Sequence, residues 1–510
     1  MGAVAALTAC GSSSGSSLQT PIVGASVLVN HDRAVTRQLD VPTLFQDTKD
    51  ASTLYLFGDE LEAGDCRLYV SNDHGYTWTG VKAPSLPPYT DCGAESGHSV
   101  NFRTTFAEGS DGTLFLAYAA YDVSTGTGSR SALLGRSTDK GHTWSTVAVD
   151  AAPPVTSQGV REIDFEPHVA VDPANSKNVT VIWRRSVPSV KGVTTPPTRP
   201  YIATSTDGGA TFTTPTMLFN RTMGFDPPYP VIVNGTLYVS WHETFPKGSD
   251  GKTPPDKIWF SSSTDGGKTF TDNQVASGTS VDTPVLRYDS TRSKFDMFWD
   301  MNNSSGNLDV YFASSSDGKS WGSPVRMNDD PENDKRDQEL PEPSITPSGR
   351  IDVAFYDYRN DPFPAPKPGD LGARQDVYVA SSFDGGSTWT ANVRANDLQI
   401  DRTEGVWNNQ FFLQVPPTLA SGDTWAAAAW SDTRLGDAST STQDLFVAPL
   451  AFDTSTIPAG LAGAVSSGGY DKSDLVVVGL LAGGAALFGG AGIALLVVML
   501  ATRRRRAGAQ

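Results

Sequence analysis

Two segments of the chain combine an aromatic residue, an aspartate and an arginine at nearly the same spacing. Segment 356–359 reads YDYR and ends at Arg359, and segment 430–434 reads WSDTR and ends at Arg434. A guanidinium presents a fork of N–H donors that matches a carboxylate, so arginines on neighbouring structural units can grip an acidic ligand. Alternatively, each arginine forms an internal pair with its own aspartate and ties down a loop. The sequence leaves both interpretations open.

A second set of residues suggests metal chemistry. Five acidic residues lie within two positions of a proline, each just before a β-type segment. Carboxylates that converge repel one another unless a cation joins them, and Ca²⁺ prefers such hard oxygen ligands. Carboxylates that cap loop amides, or are simply solvated, explain the pattern equally well. The possible calcium ligands are Asp40, Glu166, Asp226, Asp282 and Glu342.

Composition excludes several functions. The formal net charge is −17, which repels phosphate backbones and argues against a nucleic-acid partner. The six histidines show no metal-ligand spacing, and neither a phosphate-binding loop nor a dinucleotide fingerprint is present. No cofactor is indicated apart from the possible calcium ion.

The elements that must position these residues are repeated. An octet of the form S-x-D-x-G-x-T-[WF] occurs at 71–78, 137–144, 205–212, 263–270 and 382–389, and one residue short at 315–321. Asp and Ser side chains bind turn amides, and Gly supplies a positive φ. The final aromatic residue begins the next strand and points back to the core. Each octet therefore predicts a hairpin turn with an aromatic plug.

The strands around the octets predict a closed ring. A strand of one type precedes each octet and recurs at 444–448 without an octet, which makes seven units, the last one strand short. The outer strands PVRMNDD (324–330) and NVRANDL (392–398) share their pattern with ASVLVNHD (25–32). We therefore expect the N-terminal strand to complete the seventh unit and protect its edge.

The octets resemble the Asp boxes, or bacterial neuraminidase repeats, of the sialidase superfamily. This resemblance covers about 430 residues (25–452) and implies an all-β, seven-bladed β-propeller with peripheral, structural Asp-box aspartates. A six-bladed ring, as in sialidases themselves, is the alternative.

The resemblance also implies candidates for catalysis. Family sialidases hold the substrate carboxylate with three arginines and use a Tyr/Glu nucleophile pair and an aspartate as acid/base. The first arginine usually stands in a Phe-Arg-Ile-Pro motif, whose nearest relative here is Phe102-Arg103-Thr104-Thr105. The corresponding candidates are Arg103, Arg359 and Arg434 for the clamp, Tyr356 or Tyr358 with Glu243 as nucleophile, and Asp357 as acid/base.

The chain ends predict export and anchoring. Residues 7–10 (LTAC) resemble the lipobox of bacterial lipoproteins, which implies lipid attachment at Cys10, although residues 1–9 lack a basic region. Cys66 and Cys92 form an even pair in an exported protein, so we expect a disulfide between them. Residues 1–24 would be a truncated signal with a Ser/Gly linker.

The other end predicts one transmembrane helix. The uncharged stretch 475–501 precedes four arginines, Arg503 to Arg506, which place that end in the cytoplasm. We expect a linker at 453–473, a helix at 474–502 and a basic tail at 503–510. Gly479 and Gly483 form a small-residue pair that can pack two helices into a dimer.

Together these features predict a propeller held at a bacterial cell surface with its ring outside. The first hypothesis is a module that binds a glycan or a cell-surface protein. The alternative is an exo-acting glycoside hydrolase, an exo-alpha-sialidase on acidic sugars. Fold alone does not decide between them.

Overall fold

The computed structural model describes residues 17–30, 38–60, 65–89, 104–121, 130–151, 153, 155, 162–186, 198–224, 228–249, 251–363, 372–405, 415–436 and 442–457. In these ranges the chain is all-β, apart from one 3-10 turn at Thr454–Thr456. None of the helices within these ranges is long and apolar enough to cross a membrane. The expectations for Cys10, Gly479/Gly483, segment 474–502 and tail 503–510 fall outside the described residues.

The described strands form seven antiparallel sheets, each of which is one blade. Before and within blades 1 to 3 the strands are β1 (Ser17–Val23), β2 (Val27–Leu28), β3 (Leu39–Gln46), β4 (Leu54–Glu60), β5 (Asp65–Ser71), β6 (Thr79–Val81), β7 (Thr105–Glu108), β8 (Leu114–Tyr121), β9 (Arg130–Ser137), β10 (Ser145–Ala148), β11 (Ile163–Asp172), β12 (Asn175–Ser186), β13 (Arg199–Ser205) and β14 (Thr216–Met217).

Blades 4 to 7 continue the same order from inner to outer strand. Their strands are β15 (Tyr229–Val233), β16 (Thr236–Glu243), β17 (Asp256–Ser263), β18 (Thr271–Gly278), β19 (Asp282–Asp289), β20 (Lys294–Asn302), β21 (Leu308–Ser315), β22 (Val325–Arg326), β23 (Gln338–Ile345), β24 (Ile351–Asp357), β25 (Arg374–Ser382), β26 (Val393–Arg394), β27 (Ile400–Asp401), β28 (Thr418–Gly422), β29 (Trp425–Asp432) and β30 (Asp444–Asp453).

The N-terminal chain completes blade 7, as predicted. Both β1 and β2 pair with β30, and the inner strand β28 packs against β3 of blade 1. Blade 7 begins at Ser17, before the boundary expected at residue 25. The ring therefore has seven blades and not the six of the alternative.

The shared outer-strand pattern has a physical reason. Asn30 donates to Asp444 at 2.6 Å and accepts from the Leu445 N–H at 2.9 Å. In blade 5, Asn328 makes the same two contacts with Asp309 and with the Val310 N–H. In blade 6, Asn396 makes them with Asp376 and with the Val377 N–H. In these three blades, one asparagine thus joins the outer strand to the start of the third strand.

The octets form the predicted turns at one end of the blades. In the fourth octet Ser263 Oγ donates to Asp265 and accepts from the Gly267 N–H, and Thr269 donates to Asp265 through both its N–H and its hydroxyl. The other four full octets repeat this network, and the shortened octet 315–321 repeats it without the hydroxyl bond. We call this end of the ring the Asp-box end.

The opposite end, which we call the mouth, is where inner strands begin and second strands end. The second strand of each blade carries one large aromatic residue toward the mouth, and all seven are at most 1% exposed. They fill the interfaces between blades and are Phe57, Tyr118, Trp183, Trp241, Trp299, Tyr356 and Trp430.

Candidate functional site

Three inner strands enter the ring at the mouth through strained bulges. Val41, Glu166 and Leu340 have φ values of 55°, 48° and 58°, and each stands directly before a proline. The pairing register shifts at all three places. Positive φ is costly for residues with a Cβ, and bulges redirect the side chains beside them. The backbone thus directs acidic side chains of these strands to the mouth.

A buried tyrosine–glutamate pair lies at the mouth of blade 6. The Tyr358 hydroxyl donates to Glu339 Oε1 at 2.6 Å and lies 3.0 Å from the side-chain amide oxygen of Gln375. Tyr358 is 1% exposed and Glu339 3%. Burial raises the pKa of Tyr358 well above its usual value of 10. The positive charge of Arg402 lowers this pKa, and the negative charge and hydrogen bond of Glu339 raise it further. The Arg402 guanidinium carbon is 5.4 Å from the centre of the Tyr358 ring.

Tyr356 lies beside this pair with an unused hydroxyl. It is completely buried, and its Oη has no hydrogen-bond partner among the described residues. Burial, followed by the charges of Asp40, Glu339 and Asp432, raises the pKa of Tyr356 far above its usual value. An unsatisfied buried hydroxyl costs about 1–3 kcal/mol. Such a group among carboxylates is suited to a polar ligand atom or a water.

The two arginines of the recurring motif each join neighbouring blades. Arg359 donates to Asp357 at 2.8 Å and to Asp329 of blade 5 at 2.5 Å. Arg434 repeats the arrangement in blade 7, with Asp432 at 2.7 Å and Asp397 of blade 6 at 2.5 Å. This is the geometry of the internal pair, extended across a blade interface. Their role as a carboxylate clamp stays a prediction, and Arg103 lies outside the described residues.

Asp357 has the environment that a proton donor needs. It is fully buried, and burial, partly offset by Arg359, raises its pKa to about 6. Its Oδ1 also lies 3.4 Å from the Gln338 amide nitrogen. Its part as acid/base stays a prediction.

Glu243 lies in blade 4, where it contacts Trp259 and Arg221 and not the candidate tyrosines. Trp259 Nε1 donates to Glu243 Oε2 at 2.9 Å, and the same oxygen is 3.7 Å from Arg221. The carboxylate that meets Tyr358 is Glu339 instead. A signal for it exists in the chain, because Gln338-Glu339-Leu340-Pro341 aligns with Leu39-Asp40-Val41-Pro42 and places an acid two positions before the proline in both.

The possible calcium ligands do not share one site in the described residues. Glu166 holds Arg184 through two bonds of 2.7 Å, and Glu342 accepts from Arg287 at 2.5 Å. Asp40 accepts from Ser431 at 2.8 Å. Asp282 Oδ1 is 3.9 Å from His242 Nε2, and Asp226 lies outside the described residues.

No group of three or more His, Cys, Asp or Glu residues among the described ranges is arranged to hold a metal ion. The calcium site stays a prediction. Cys66 is disulfide-bonded. Because Cys92 lies outside the described residues, its pairing with Cys66 also stays a prediction.

Comparison with known proteins gives no family assignment. No protein-family profile and no curated protein matches the chain. Among solved structures, a protein of unknown function from Dyadobacter fermentans is 14% identical with a TM-score of 0.43, covering 84% of this chain and 98% of that one.

Two enzymes with similar structures are also found. The alpha-L-arabinofuranosidase Arb93A from Fusarium graminearum is 11% identical with a TM-score of 0.43, covering 84% of this chain and 98% of that chain. The Trypanosoma rangeli sialidase is 13% identical with a TM-score of 0.42, covering 69% of this chain and 56% of that chain. The chain is thus similar, at low identity, to sialidase and arabinofuranosidase propellers.

Proposed function

We propose that the mouth of the ring, where blades 6, 7 and 1 meet, binds a carbohydrate. The observation that carries this proposal is the unpartnered Tyr356 hydroxyl, buried among Asp40, Glu339 and Asp432. Sugar hydroxyls both donate and accept hydrogen bonds. They can therefore pair with the buried phenol either as donor or as acceptor.

A specific observation favours a second function, hydrolysis of a glycoside, at the same place. The Tyr358 hydroxyl already donates to Glu339, which can take its proton as the phenol oxygen bonds to an anomeric carbon. The glycosidic C–O bond breaks in the same step, and the leaving oxygen takes a proton from the acid, for which Asp357 is the candidate. Water then displaces the phenol from the sugar, and the proton returns from Glu339 to Tyr358. A phenol carries no charge before it gives up its proton. It therefore suits an anomeric centre that bears a carboxylate, as in sialic acid, better than a carboxylate nucleophile does.

We also propose that the ring is displayed outside a bacterial cell and anchored to its membrane. The lipobox-like residues before Cys10 and the apolar segment 474–502 support this proposal. The disulfide at Cys66 agrees with it, because disulfides persist in oxidising compartments.

The chain offers a matched control for testing the mouth. Tyr55, in blade 1 at the Asp-box end, is also buried and donates to a buried carboxylate, Asp47, at 3.1 Å. Tyr358→Phe and Tyr55→Phe therefore remove the same atom from similar environments at opposite ends of the ring. Residues 17–457, which contain the closed ring, suffice for this test.

Binding of sialyllactose is measured by calorimetry, and hydrolysis with a fluorogenic sialic-acid glycoside. We expect Tyr356→Phe to weaken binding by about tenfold, since one good hydrogen bond is lost, and Tyr55→Phe to leave it unchanged. If hydrolysis occurs, Tyr358→Phe should abolish it while binding persists. Equal losses in Tyr356→Phe and Tyr55→Phe would contradict a site at the mouth. Release that survives Tyr358→Phe would exclude this tyrosine as nucleophile.

A further inference from the structure

Both ends of the described chain leave the ring at the Asp-box end. The last strand, β30, begins at the mouth with Asp444, beside Asn30, and ends at Asp453. The first strand, β1, begins at Ser17, which is the Cα partner of Asp453. The two chain exits are therefore next to each other.

The topology explains why they leave at this end. β30 is the third strand of blade 7, and in the other six blades the third strand leads into an Asp box. Segment 453–457 thus occupies the place of a seventh Asp box. Its approach is fixed, because the Phe452 ring lies 6.2 Å from Phe383 of the sixth octet and 3.5 Å from the Arg350 guanidinium carbon.

We infer that the ring stands with its Asp-box end toward the lipid surface and its mouth away from it. This inference rests on the proposed anchoring at Cys10 and 474–502. It adds an orientation that the anchors alone do not specify. A mouth that points away from the membrane is the one that glycans of the surroundings can reach.

Chain lengths decide the orientation. Cys10 is 7 residues before Ser17 (17 − 10), so an extended chain places its lipid at most about 25 Å from the start of β1. Strands of 8 to 10 residues, such as β3 and β30, make the ring about 30 Å thick. The lipid therefore cannot reach past the mouth. The apolar stretch begins at residue 475, 18 residues beyond Ile457. A linker of this length reaches up to about 65 Å when extended, so the C-terminal anchor can enter the same membrane in this orientation.

The surface at this end is compatible with lipid headgroups. The exposed octet positions are mostly polar, with Lys140, Lys268 and Lys319 among them, and Phe383 is the large apolar exception. The octet aspartates are held in their turns by Ser and Thr. Because Phe383 is the one large apolar side chain that is exposed in the described octets, we expect the anchors, and not insertion of this face, to hold the ring to the bilayer.

The test uses the full chain in phosphatidylcholine vesicles, with a fluorophore at one introduced cysteine. Ser316→Cys lies in the fifth octet and Asn333→Cys in the loop that enters blade 6 at the mouth, and both positions are exposed. Quenching by nitroxide-labelled headgroups is measured after flotation. Because the two labels are separated by about one strand length of ~30 Å, we expect quenching at 316 to exceed that at 333 by at least about twofold.

The outcomes separate the two proposals. A chain that floats with the vesicles but is quenched equally at both positions, or more at 333, would overturn the orientation while leaving the anchoring intact. A chain that does not float would overturn the anchoring, and the orientation with it. Ser316→Cys and Asn333→Cys rings of residues 17–457 serve as controls and should show no quenching at either position.

Discussion

The two ends of the ring use the same residue types in opposite ways. At the Asp-box end, the octet aspartates are exposed or half-buried and accept hydrogen bonds from their own octet, and the pKa of Asp139 falls to about 2 because Thr143 and Ser137 donate to it. At the mouth, aspartates are buried, and burial raises the pKa of Asp357 to about 6 and that of Asp164 well above its usual value.

This difference separates local contacts from long-range contacts. Octet contacts span four residues and lower the cost of their own turn, so they are made in each of the six blades that carry an octet, regardless of neighbours. Mouth contacts join distant elements, as when Ser431 donates to Asp40 across 391 positions of sequence. Buried charges cost stability unless their partners are complete. Buried acids also lie near the Asp-box end, where Arg350 pairs with Asp352 and burial raises the pKa of Asp296 to about 7, so the contrast holds for the octet aspartates and not for every acid of that end.

The largest expected effect comes from breaking one buried pair at the mouth. Arg184 and Glu166 are at most 7% exposed and share two bonds of 2.7 Å. Arg184→Met should lower the free energy of unfolding by about 3–5 kcal/mol, because a buried charge loses its partner. Urea denaturation of residues 17–457 measures it.

The double variant Arg184→Met/Glu166→Gln should recover much of that loss. At the other end, Lys140→Ala breaks an exposed pair with Asp50 of 3.4 Å and should cost at most about 1 kcal/mol. Similar losses in Arg184→Met and Lys140→Ala would remove the distinction between the two ends.

An intermediate effect is expected within one octet. Gly266 and Gly267 both have positive φ, at 74° and 84°. A Cβ on Gly267 would meet Ile202 Cδ1 at 2.5 Å, whereas a Cβ on Gly266 meets nothing within 4 Å. Gly266→Ala should cost about 1 kcal/mol from backbone conformation alone, and Gly267→Ala about 1–3 kcal/mol more from overpacking.

Thermal unfolding of the two alanine variants makes this comparison directly. If their midpoints fall together, the octet is only a local turn and does not interlock with the neighbouring blade. A larger fall in the midpoint of Gly267→Ala would show that this octet packs closely against the neighbouring blade.

The sequence predicted the Asp-box end far better than the mouth. Octets and outer strands are short, repeated patterns with local causes, so the number of blades followed from the strands before the octets and from their copy at 444–448. The closing role of segment 25–32 followed from its match to segments 324–330 and 392–398. The mouth depends on contacts between strands far apart in sequence. Tyr358 was recognised as a candidate, but its partner Glu339 was not, because the spacing to proline that Glu339 shares with Asp40 indicates an acid before a bulge but not which side chain that acid meets.

The arginines illustrate the same limit. Arg359 and Arg434 stand close to Asp357 and Asp432 in sequence, which local spacing shows. Their second partners, Asp329 and Asp397, belong to the preceding blades and emerge only when the blades pack. The motif therefore shows that the two arginines recur, but only the packed interface between blades shows that each arginine binds an aspartate of the preceding blade.

The smallest expected effect is on how stability depends on pH, which should have opposite signs for Asp357 and Asp139. The folded-state pKa of Asp357 is about 6, above its ordinary 3.8, so the folded protein binds more protons between these values. Wild type should therefore gain stability relative to Asp357→Asn as pH falls through 6. For Asp139 the folded-state pKa is about 2, below 3.8, so wild type should lose stability relative to Asp139→Asn as pH falls below about 5. Urea midpoints of the three proteins at pH 7, 5 and 4 measure both trends. Trends of the same sign would show that burial does not distinguish the aspartates of the mouth from those of the octets.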